Sequence, residues 1–150
     1  MIAHRALAAA AILLWSGVAL SDAVISGAWV RAMPSTQRMT AGYLTLENDG
    51  DRALTVIGAS SDASPRVEIH TTVSREGMQR MQRVETLAVA PGERVEMAPG
   101  GYHLMLRDMP RMPAVGDSVE LCLELDRTGP VCTTAVVSRD GPSTTTRLHH

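Results

Sequence analysis

His70, Met81, His103 and Met105 are separated by ten, twenty-one and one residues. Two imidazoles and two thioethers are the ligand set of a soft metal ion. Thioether sulfur is neutral and a poor partner for zinc, whereas copper(I) favours it. Calcium or magnesium would call for carboxylate oxygen instead. Four neutral ligands add no charge, so a bound copper(I) keeps its single positive charge. Thioethers also suit an oxidising compartment, where a thiolate pair closes to a disulfide and methionine is open only to sulfoxide formation.

His103 and Met105 lie in Pro99-Gly100-Gly101-Tyr102-His103-Leu104-Met105-Leu106, a turn followed by a strand. Successive strand side chains point to opposite faces. Tyr102, Leu104 and Leu106 therefore take the core face, and His103 and Met105 the other, off the main core. Taken singly, His70 reads as a solvated histidine, and Met81 as core filler in a chain with nine Met and no Phe. The joint spacing carries the assignment. Met78 is the nearest substitute ligand, while Met97, Met109 and Met112 read as packing or loop residues.

The elements that must position these side chains are short and alternating. Val24 to Arg31, Thr40 to Glu47, Ala53 to Ala59, Arg66 to His70, Gly77 to Val84, Leu87 to Val89, Arg94 to Met97, Ser118 to Leu125 and Val131 to Val137 read as strands. In Arg66-Val67-Glu68-Ile69-His70, Val67 and Ile69 share one face and Glu68 and His70 the other. Asn48-Asp49-Gly50-Asp51 is a strong turn signal, and Asp108 to Gly116 is a Pro-rich loop. No helical period runs for ten residues past the start of the chain. The pattern predicts one all-β domain, an antiparallel sandwich or barrel.

A basic start, an apolar run from Ala6 to Leu20 and small residues around Ser21 predict a signal peptide over 1–21. Cleavage is expected after Ser21 or Ala23, with no lasting membrane anchor, since the run is too short for a confident span. The β-domain then covers 24–137, and 138–150 is a loose polar tail. His149 and His150 at its end read as solvated, with copper(II) recruitment the alternative. A net charge of −2, few aromatics and no basic run give nucleic-acid binding no support.

Cys122 and Cys132 flank a hairpin loop, Asp126-Arg127-Thr128-Gly129-Pro130. Export favours a disulfide between them; a second metal or redox pair is the competing reading.

The pattern His-x10-Met-x21-His-x-Met resembles the signature of the periplasmic copper chaperones called PCu(A)C. Gly27-Ala28-Trp29-Val30-Arg31-Ala32, Ala41-Gly42-Tyr43-Leu44-Thr45-Leu46, Val67-Glu68-Ile69-His70 and the Pro99–Leu106 stretch are similar to that family as well. One departure is Thr71, where many relatives carry Met. The resemblance implies a cupredoxin-like, immunoglobulin-like β-fold with a surface copper(I) centre at His70, Met81, His103 and Met105. It also implies a periplasmic location and transfer of copper to the Cu(A) subunit of cytochrome c oxidase or to a Sco-type protein. Two rivals are a metal-free immunoglobulin-like binding module and an electron-transfer cupredoxin, which needs a Cys thiolate beside two His and a Met. No nucleophile elbow, His-Glu-x-x-His or phosphate-cradling loop is present, so no enzyme is expected.

Overall fold

The computed structural model describes residues 22–142; the expected signal peptide, His149 and His150 lie outside the described residues. The strands, in chain order, are β1 (Ala23–Arg31), β2 (Thr40–Asn48), β3 (Leu54–Ser61), β4 (Ser64–Arg75) and β5 (Met78–Arg83). They continue as β6 (Leu87–Val89), β7 (Arg94–Met97), β8 (His103–Arg107), β9 (Ser118–Leu125) and β10 (Gly129–Ser138). Seven of them form a closed ring, β4-β8-β2-β1-β10-β9-β3, with β3 pairing back onto β4. The expected all-β sandwich or barrel is a barrel. β5, β6 and β7 extend it from β4, β3 and β2.

Alternation decides what fills the barrel. Leu44, Leu46, Val56, Leu104, Leu106, Leu121, Leu123 and Val137 are almost wholly buried in one core. Without phenylalanine, methionine takes up irregular space: Met97, Met109 and Met112 all join that core. The turn after β2 is pinned from inside. The buried Asn48 side chain donates from Nδ2 to the carbonyls of Arg52 (2.6 Å) and Val89 (3.0 Å), and its Oδ1 accepts from the Gly50 N–H.

Two differences from the sequence reading bear on the site. The expected strand Arg66 to His70 runs on to Arg75, because its second half pairs with β5 as a hairpin rather than with the barrel. Thr71 to Arg75 carry no alternating apolar signal, since that hairpin packs on no core. On β8, Leu104 and Leu106 enter the core as expected, and His103 and Met105 stand outside that cluster. Their face is nevertheless covered: His103 is 4% exposed and Met105 8%.

Candidate metal centre

Register assembles the site. In the β4–β8 pair His70 lies directly opposite His103, and Glu68 opposite Met105. In the β4–β5 pair His70 lies opposite Arg83, and Thr72 opposite Met81. Directly paired residues point to the same face, and diagonal neighbours remain within reach of long side chains. Glu68, His70, His103, Met105 and Met81 therefore share one face, with both methionines diagonal to His70. The two imidazole centroids are 5.8 Å apart. Met105, on β8 itself, is buried, whereas Met81 stands further along the hairpin and is 64% exposed. By the same alternation Thr71 lies on the opposite face, so a methionine there would not point at the histidines.

The hydrogen bonds of the two rings leave one bare nitrogen on each. His103 Nδ1 is 3.0 Å from the Gly101 carbonyl, which can only accept, so Nδ1 carries the proton and the neutral ring keeps its lone pair on Nε2. His70 Nε2 donates to the Glu68 carboxylate at 2.8 Å, which leaves the lone pair on Nδ1. His70 Nδ1 and His103 Nε2 are the two buried side-chain polar atoms without a hydrogen-bond partner among the described residues. A buried nitrogen left unpaired costs about 1–3 kcal/mol. Fixing the tautomer from the far side of each ring, by a carboxylate and a backbone carbonyl, is how metal-ligating histidines are held. The donor set fits a soft ion.

Glu68 is the residue at this site that the sequence reading missed. Its parity with His70 was visible; its partners come from three strands and were not. Besides His70, its carboxylate faces Arg107 at 3.4 Å, Arg83 at 3.7 Å and Arg66 at 3.9 Å. The His70 hydrogen bond, then Arg107 and Arg83, hold the Glu68 carboxyl below the usual carboxylate range against the opposing effect of burial. Arg66 and Arg83 each have a second anion, Asp108 at 3.0 Å and Glu85 at 2.9 Å.

The carbonyl that orients His103 is set by a turn. The Gly101 N–H donates to the Ala98 carbonyl at 3.0 Å, with Pro99 and Gly100 between them, and Gly100 has φ +89°. This is a type II turn, which places Pro second and needs positive φ third. Gly100→Ala meets no atom but is strained in backbone, at about 1–2 kcal/mol. We expect thermal melts of Gly100→Ala to show that loss.

On the other side of the barrel Cys122 and Cys132 are directly paired across β9 and β10 and joined in a disulfide.

A family model described as "Putative lipoprotein LpqE-like" matches residues 23–137. The chain belongs to the LpqE-like family. This LpqE-like chain is 32% identical over 100 residues to "Putative lipoprotein Lxx21020" of Leifsonia xyli subsp. xyli. That match covers 66% of the chain and 59% of the relative, so the chain spans less than two thirds of that curated relative's length. Among solved structures it is similar to the copper-bound PCuAC domain from PmoF2, at 29% identity and TM-score 0.66, over 81% of this chain and 96% of that one. It is also similar to the solution structure of CuI-DR1885 from Deinococcus radiodurans, at 26% identity and TM-score 0.63, over 84% and 83% of the two chains. The LpqE-like barrel thus has the cupredoxin-like fold of PCuAC domains.

Proposed function

We propose that this protein is an exported, periplasmic copper(I) carrier that takes its cargo at His70, His103, Met105 and Met81 and passes it to a receiving protein. The single observation that carries the reading is the pair of bare, buried imidazole nitrogens on directly opposed residues of β4 and β8. Each ring is tethered at its other nitrogen. A thioether on the same face supplies soft character on either side. Similarity to copper-bound PCuAC domains supports the choice of ion. The lipoprotein names of its family and of its Leifsonia relative support export.

The site divides into a fixed part and an accessible part. His103 and Met105 are buried, whereas Met81 is 64% exposed on a hairpin that packs on no core. A partner's ligands can displace the Met81 thioether first and take the ion by stepwise exchange. The recipient we propose is the Cu(A) subunit of cytochrome c oxidase, or a Sco-type thiol protein on the way to it. The electron-transfer alternative needs a cysteine thiolate beside the histidines, and both cysteines are held in the β9–β10 disulfide.

Native mass spectrometry after copper(I) loading tests the carrier reading: one copper per chain is expected, and none would favour a metal-free binding module. Mixing the loaded protein with either recipient, and following copper by mass, then tests transfer.

Exposure separates the two methionine variants. Met81→Ala should leave stability within about 0.5 kcal/mol and weaken copper(I) binding. Met105→Ala should weaken binding and also cost about 2 kcal/mol, the low end for a buried methionine, because Met105 is buried yet outside the main core. Urea melts and a colorimetric copper(I) competitor read the two effects separately.

A further inference from the structure

β9 and β10 carry a second group of metal-ligand-type side chains, on the outer face of the barrel. Glu120, Cys122 and Glu124 alternate with Leu121, Leu123 and Leu125, which face the core. Cys132 lies opposite Cys122, with Cα atoms 4.0 Å apart. The Cys122 Sγ lies 3.8 Å from the Glu120 carboxylate. The ligand atoms of Glu120, Cys122 and Cys132 all lie within 4.8 Å of one another. Cys122 is buried and Cys132 is exposed, so a reductant reaches the bond from the Cys132 side.

The hairpin does not depend on the bond for its register. Eight directly paired positions join β9 to β10, and Val119, Leu121, Leu123, Ala135 and Val137 anchor both strands in the core. We propose that reduction by a dithiol turns this disulfide into a site for a divalent thiophilic ion, zinc, ligated by Cys122, Cys132 and Glu120.

The exchange conserves sulfur and electrons. A reductant thiolate attacks Cys132 Sγ and forms a mixed disulfide, the Cys122–Cys132 bond breaks, and its electron pair leaves on Cys122, which takes a proton. The reductant's second thiol closes its own disulfide and releases Cys132 as a thiol. Zinc then displaces the two thiol protons to solvent. Two thiolates and one carboxylate, with water in the fourth position, make a tetrahedral zinc shell. The set carries three negative charges, and Glu124, two residues from Cys122, adds another nearby. That field and the carboxylate oxygen suit a dication such as zinc, while the two thiolates alone would accept copper(I) as well.

The test uses the full chain, reduced with dithiothreitol, desalted without oxygen and titrated with cobalt(II) as the coloured stand-in for zinc. The expected result is one equivalent of thiolate-to-cobalt charge-transfer absorption, absent from the oxidised protein and bleached by zinc. Because histidine and thioether ligands give no such band, a His70→Ala, His103→Ala variant should keep it. Glu120→Gln should keep the band and weaken cobalt at least about tenfold, a loss that even outer-shell groups commonly produce. A reduced protein without the band, a Glu120→Gln variant of unchanged affinity, or far-UV dichroism showing that reduction unfolds the sheet would each overturn the proposal.

Discussion

Replacing His103 with leucine is expected to abolish tight copper(I) binding while leaving the metal-free fold about as stable as the parent. His103 is 4% exposed, and its Nε2 is buried without a partner. In the metal-free protein that nitrogen is a standing cost of about 1–3 kcal/mol. Leucine removes the orphan and keeps most of the volume; what it loses is the bond to the Gly101 carbonyl, which sits in a partly exposed turn. The two effects oppose each other, and we expect a net change within about 1 kcal/mol. Copper affinity should fall by at least about 100-fold, more than loss of an outer-shell group typically costs. Copper(I) should raise the thermal midpoint of the parent, since a ligand that binds only the folded state stabilises it, and should leave that of His103→Leu where it was. A variant that fails to fold would make His103 a packing residue.

Glu68→Gln is expected to have the next largest effect, without touching a ligand. The carboxylate accepts from His70 Nε2–H and faces Arg66, Arg83 and Arg107. Glutamine can still accept a hydrogen bond but no longer offsets three guanidinium groups around a site for a cation. We expect copper(I) affinity to drop about 10–100-fold, with partial recovery at high salt, where the exposed arginines are screened. Stability should fall by about 1–2 kcal/mol, discounted because the arginines remain partly in water.

The sign of the acid response follows from the Glu68 shift. Its folded-state value is depressed, so its contribution is present above about pH 4.3, the usual glutamate value, and is lost as pH falls through the lower folded value. Metal-free melts from neutral pH downward should therefore show a shallower acid loss in Glu68→Gln than in the parent. An equal slope would place the stabilisation elsewhere.

What the sequence made legible was period and parity. Alternation in Tyr102–Leu106 and Val67–His70 gave the face of every proposed ligand on β4 and β8, and Asn48-Asp49-Gly50-Asp51 marked its turn. Parity says nothing about which strand lies beside which. That His70 meets His103, that Arg66, Arg83 and Arg107 converge on Glu68, and that β1 pairs with β10 in parallel all depend on register between distant segments. The outer half of β4 escaped for a different reason: Thr71 to Arg75 face no core, so selection for burial leaves no alternating mark there. The covering of His103 and Met105 was likewise not legible, because a residue's face does not say whether anything lies over it.

The central claim is that two imidazoles and two thioethers hold one copper(I). X-ray absorption at the copper edge of the loaded protein counts those neighbours directly. The account predicts a first shell of two nitrogen and two sulfur donors per copper, with one sulfur lost in Met81→Ala. A shell of nitrogen and oxygen alone, unchanged by Met81→Ala and Met105→Ala, would contradict it.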